Sequence, residues 1–84
     1  MNIAQLVRMA NQIGAFFATM PDHEKSLTGI AEHLRKFWEP RMRGELLAFV
    51  QNHPDGCSGD ISLTPLVLQA IVSYRADLAP KSRS

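Results

Sequence analysis

Apolar residues recur at helical spacing in four successive stretches of this chain, with prolines between them, and that pattern points to helices packed on one another. Plotted at about 100° per residue, the helical period, Ile3, Leu6, Met9, Ala10, Ile13, Phe16, Phe17 and Met20 fall on one arc. Arg8, Asn11 and Gln12 lie off it, so residues 3–20 read as an amphipathic helix that Pro21 ends. Gly14 inside this helix costs about 1 kcal/mol relative to Ala, which points to a close crossing of two backbones. A second helix spans roughly 24–38, where Leu27, Ile30, Ala31, Leu34, Phe37 and Trp38 share an arc. Lys36 lies opposite that arc and Arg35 on its flank. Pro40 stops the helix, because the residue before a proline is pushed out of helical dihedrals. The same proline suits the first turn of a third helix, about 41–52, with Met42, Leu46, Phe49 and Val50 inward.

The run Asn52-His53-Pro54-Asp55-Gly56, followed by Cys57-Ser58-Gly59-Asp60, is turn chemistry, so 52–62 reads as a loop. Thr64-Pro65 reads as an N-cap and first-turn pair. It opens a last helix, 65–78, with Val67, Ala70, Ile71, Tyr74 and Leu78 on one side. Leu68 and Val72 fall on the other side, one turn apart. A helix apolar on both faces is either central in the fold or contacted by another molecule. No strand alternation is found. The expectation is an all-α protein, a small compact bundle of three to four helices in one domain over 1–78, then a short flexible basic tail over 79–84.

At 84 residues and 45% hydrophobic content the chain can bury one core, with a stability reserve of about 5 kcal/mol or less. Its single cysteine excludes an internal disulfide and fits a reducing compartment. Asn2 and Gln5, with no basic stretch ahead of a hydrophobic run, do not read as a signal peptide. No apolar run approaches the roughly 20 residues that span a bilayer. The expected location is the cytoplasm, with no membrane association.

Reactive constellations are missing. His53 and Cys57 stand four apart across a Pro-Gly turn, and His23 and His33 form no ligand pair with them. Structural zinc takes four closed ligands and catalytic zinc three with one open position. Gly56-Cys57-Ser58-Gly59-Asp60 lacks the strand–turn–helix setting of a nucleophile elbow. The expectation is therefore no catalytic, cofactor-binding or metal-binding residue, and no enzyme activity in this chain alone.

One segment has more charge than a small core requires. Within His33–Arg43, the cations Arg35, Lys36, Arg41 and Arg43 crowd around Phe37, the single Trp38, Pro40 and Met42. Nucleic acid is one reading: cations on phosphates and an aromatic stacked on a base. Against it, Trp38 falls on the buried stripe, the net charge is only +1, and Glu32, Glu39 and Glu45 interleave with the cations. Solvated side chains with ion pairs worth at most about 1 kcal/mol account for Arg35 and Lys36 as readily as binding does. Arg41 and Arg43, flanking Met42 after the proline corner, better suit docking onto an acidic protein surface. The Leu68/Val72 side offers a second contact, and apolar surface of this kind also permits self-association of the isolated chain.

Three blocks carry a family resemblance: M-A-N-Q-I-G-A-F-F at 9–17, I-A-E-H-L-R-K-F-W-E-P-R-M-R at 30–43, and L-T-P-L-V-L at 63–68. In order over roughly residues 3–75, the chain resembles the delta subunit of soluble, NAD-dependent, molybdenum-containing formate dehydrogenases. The central block is the most specific; the 51–62 loop and the tail from Ala79 lie outside the matching blocks. The resemblance implies a non-catalytic accessory subunit that binds the large alpha (catalytic) subunit, within a complex with beta and gamma subunits, and supports assembly or stability. It places a molybdopterin guanine dinucleotide cofactor in the alpha subunit and iron–sulfur clusters, FMN and NAD in the wider complex, none of them in this chain. A single cysteine cannot ligate a cluster that takes four thiolates. Partner-binding residues expected on this basis are Arg35, Lys36, Phe37, Trp38, Pro40, Arg41, Met42, Arg43, Leu68 and Val72. A maturation factor, holding the apoenzyme until its cofactor is inserted, is the alternative role, and a small nucleic-acid binder the third.

Overall fold

The computed structural model describes residues 2–80. Helix α1 (Ile3–Phe17) starts where the Asn2 side chain accepts the Gln5 backbone N–H at 2.8 Å, satisfying one of the free donors of the first turn. The apolar arc had extended to Met20, but the helix stops at Phe17. Beyond it the amides of Thr19 and Met20 turn to the carbonyls three residues back, of Phe16 and Phe17, tightening the last turn. Asp22 is then free to adopt extended dihedrals and cap α2 (His23–Phe37), accepting from Glu24 N–H at 2.9 Å and Lys25 N–H at 3.4 Å. Glu24 in the first turn and Arg35 and Lys36 in the last complement the helix dipole. Ser26, buried, donates its hydroxyl to the Phe17 carbonyl at 2.8 Å and so ties the end of α1 to the start of α2.

Trp38 and Glu39 are both extended, and Pro40 occupies the first turn of α3 (Pro40–Asn52). The 52–62 segment is more ordered than a loop. Cys57–Ser58 (β1) and Ile61–Ser62 (β2) pair antiparallel, Cys57 with Ser62 and Ser58 with Ile61. Strands of two residues are too short to show alternation, which is why the sequence pattern does not reveal them. Gly56 and Gly59 make the turns possible, with φ of +76° and +60°.

Helix α4 (Pro65–Ser73) begins after Thr64 as expected, although the Thr64 side chain makes no capping hydrogen bond. The single helix expected over 65–78 is broken at Tyr74, and a short helix α5 (Arg75–Leu78) follows. The break turns the last helical turn across α2 and α3 and buries Leu78 between them. Meanwhile the Tyr74 hydroxyl lies 3.0 Å from that of Thr28 on α2. Pro80 lies against Gly44 of α3; positions 81–84 of the expected basic tail fall outside the described residues.

The architecture is an all-α bundle with this small hairpin inserted. Its core joins Leu6, Ala10, Leu27, Ile30, Leu34, Trp38, Leu46, Phe49, Val67, Ala70, Ile71 and Leu78. Each buried Leu, Ile or Val side chain contributes about 1.5–3 kcal/mol by leaving water. Helix α2 is the hub, packed against α1, α4 and α5. The close crossing expected at Gly14 is present: a Cβ there would collide with Val67 of α4.

Candidate docking surface

Two adjacent aromatic pairs, Phe16-Phe17 and Phe37-Trp38, shape the exposed chemistry of the bundle. Neighbours on a helix point about 100° apart, so the core takes both members of a pair only where it wraps around the helix, as at Phe49-Val50 and Ala70-Ile71. Each aromatic pair splits. Trp38 is 6% exposed and part of the core, whereas Phe37 is 71% exposed; Phe17 is half-buried, whereas Phe16 is 67% exposed. The inward placement expected for Phe37 and Phe16 is therefore corrected. In α2 the core stripe is already filled by Leu27, Ile30, Ala31 and Leu34. The chain then leaves helical dihedrals at Trp38, whose ring turns inward as Phe37 turns out.

Between α1 and α2 this leaves a groove of about 390 Å³, lined by Met9, Gln12, Ile13, Phe16, Phe17, His33 and Trp38. An aromatic series runs along it and past its rim to Phe37. Phe16 meets Phe17 edge-on with centroids 5.0 Å apart, Phe17 approaches the His33 ring at 6.4 Å, and His33 lies 4.8 Å from Phe37. Gly29 makes room for this series: a Cβ there would stand 2.5 Å from the Phe17 ring. Of these residues only Phe37 and Trp38 are expected from the sequence to bind a partner. The FF and FW doublets were the available signal for the rest.

The elbow after α2 brings most of the expected site residues together. Arg35, Pro40 and Arg43 line a cleft of about 590 Å³ with Ala76, Asp77 and Ala79. Arg43 is half-buried; its Nη1 donates to the Arg35 carbonyl at 3.4 Å, and its Nε is buried with no partner among the described residues. Met42 packs on the core from a half-buried position, whereas Lys36, Pro40 and Arg41 are exposed. Asp77, carried in by the break at Tyr74, lines this cleft and also the neighbouring one that holds Glu32 and Arg35. Trp38 fixes the elbow from inside and offers almost no surface. Leu68 and Val72 line neither the cleft nor the groove. Leu68 is half-buried over Gly56, and Val72 is 47% exposed on α4.

Among the described residues no group of three or more His, Cys, Asp and Glu side chains could hold a metal ion. Exposed Cys57 sits in the hairpin with its Sγ 3.5 Å from both the Asp55 carbonyl and the Ser62 hydroxyl. No helix among the described residues is long and apolar enough to cross a membrane.

The fold and its surface define a small all-α protein with exposed aromatic rings and cations at the end of α2. A family model, that of the NADH-dependent formate dehydrogenase delta subunit FdsD, matches residues 5–71. The chain belongs to that family. No curated protein and no solved structure matches it.

Proposed function

We propose that this chain is a non-catalytic accessory subunit of a formate dehydrogenase, docking through its basic elbow onto the large molybdenum-containing subunit and stabilising the assembled complex. Membership of the delta-subunit family supports this reading. The observation that carries it is the elbow itself: Trp38 is locked in the core while Lys36, Pro40 and Arg41 stand exposed beside it. A rigid corner presents its cations at little further entropic cost, and Arg pairs well with carboxylates at interfaces. A protein that binds only the assembled form stabilises that form by mass action and has no need of a reacting group. The molybdopterin, iron–sulfur, FMN and NAD chemistry belongs, on this reading, to the other subunits.

Arg43 is too embedded for a clean test, since reversing its charge would also disturb the fold. Lys36→Glu with Arg41→Glu reverses two exposed cations instead. The double variant is expected to keep its helical circular dichroism and to lose co-purification with the large subunit at physiological salt. Undiminished co-purification would remove the elbow from the interface.

A further inference from the structure

The sequence points Arg43 toward a partner, yet the structure turns it into the corner between α2 and α3. Its backbone N–H donates to the Glu39 carbonyl at 3.0 Å, among the bonds that open α3. Its side chain reaches back along the chain, where Nη1 donates to the Arg35 carbonyl at 3.4 Å. That carbonyl is one of the acceptors that a helix end leaves over. The Trp38 N–H takes the Leu34 carbonyl at 3.0 Å, and Trp38 and Glu39 then run extended. One residue thus begins α3 and closes α2.

Electrostatics favour the guanidinium at this place. A cation at a helix C-terminus meets the negative end of the dipole, and Asp77 lines the same cleft as Arg35 and Arg43. The Nε, buried with no partner among the described residues, is withdrawn from anything that docks. Lys36 and Arg41 differ, for both are exposed. Exposed Glu32, Glu39 and Glu45 interleave with them, so the two form no broad positive patch. Such cations discriminate between partners only through where each one points, and the angle of the corner sets that.

We propose that Arg43 is a positioning residue: it ties the first turn of α3 to the last turn of α2 and so fixes the corner that presents Lys36 and Arg41, without itself touching the partner. This rests on the reading that the chain docks through its elbow onto the formate dehydrogenase complex.

Arg43→Met keeps the length of the side chain, removes its charge and its hydrogen bond, and leaves no buried N–H. In the purified full chain the effect is read on Trp38, the single tryptophan, 6% exposed at this corner. The variant is expected to keep its helical circular dichroism while Trp38 emission moves to the red and acrylamide quenches it more. Association with the enzyme's other subunits is then measured in two backgrounds. In the otherwise unaltered chain Arg43→Met is expected to weaken it by about tenfold. With Lys36→Ala and Arg41→Ala already in place, the further loss is expected to be less than about twofold. Arg43→Lys, which keeps a cation at the end of α2, is expected to recover most of the loss. If the Met variant does not fold, Arg43→Gln takes its place in the same cycle. Unchanged Trp38 emission, or an equal loss of association in both backgrounds, would overturn this proposal and leave the elbow reading standing. If Lys36→Ala with Arg41→Ala does not weaken association, the elbow reading falls and Arg43 has nothing to position.

Discussion

Toward α4, helix α1 presents Ala10, Asn11 and Gly14, whereas toward the end of α2 it presents Met9, Ile13, Phe16 and Phe17. The first side is clamped, although a cleft of about 360 Å³ lined by Asn11, Gly14, Ala15, Ala18, Thr64, Pro65 and Leu66 borders it. The Asn11 amide donates to the Ser62 carbonyl at 2.9 Å and accepts the Thr64 N–H at 3.0 Å. One side chain thus clamps the hairpin exit and the α4 start to α1. Gly14 lets Val67 reach the helix backbone, and Val67 and Ala70 are fully buried beneath. The second side is open: its aromatic rings touch one another but leave a groove, and Phe16 remains two-thirds exposed. Polar groups satisfied at short range and a missing Cβ make a seam for one arrangement only. Rings packed loosely along a groove retain room for something else. The fold is held by the first kind of contact, and the second leaves aromatic surface exposed.

Trp38 stands where these two regimes meet, as core residue and as groove wall. Trp38→Ala is expected to cost about 3–5 kcal/mol, nearly the whole reserve of a domain this small. Chemical denaturation followed by circular dichroism should show the midpoint collapse or the chain already unfolded in buffer. A loss under about 1 kcal/mol would mean that the open side extends into what is described here as core.

The same contrast explains what could be read from the chain alone. The period of Leu27, Ile30 and Leu34 and the prolines Pro40 and Pro65 are local signals, and the helices they announce are there. Gly14 was legible because a glycine inside a helix has a cost that needs a reason. Asn11 was not: its partners lie 51 and 53 residues away, and nothing nearby in sequence marks it. The outward turn of Phe16 and Phe37 escaped for a different reason. An apolar arc on a helical projection gives direction but not depth, and depth is set by which neighbour arrives first. Asp77 reaches the elbow cleft only because the last helix breaks at Tyr74, a consequence of tertiary contacts with α2 and α3.

Two glycines carry the comparison to a smaller scale, since one substitution probes both sides. At Gly14 an added methyl meets Val67, a β-branched side chain fully buried on α4 and with no free rotamer to retreat into. The helices must part, and overpacking of this kind costs about 1–3 kcal/mol. The gain of Ala over Gly in a helix offsets about 1 kcal/mol of that. Gly14→Ala is therefore expected to lower stability by up to about 2 kcal/mol, visible as a lower urea midpoint at constant slope. At Gly29 the methyl meets the Phe17 ring at 2.5 Å, and that ring borders the groove and can swing into it. Propensity then offsets the repacking, so Gly29→Ala is expected to shift stability by less than about 0.5 kcal/mol. Its effect should appear instead in the groove, as a changed environment of the His33 ring protons by NMR. Equal losses at the two glycines would show that the aromatic side is as tightly packed as the clamped one, and that the groove has no room to yield.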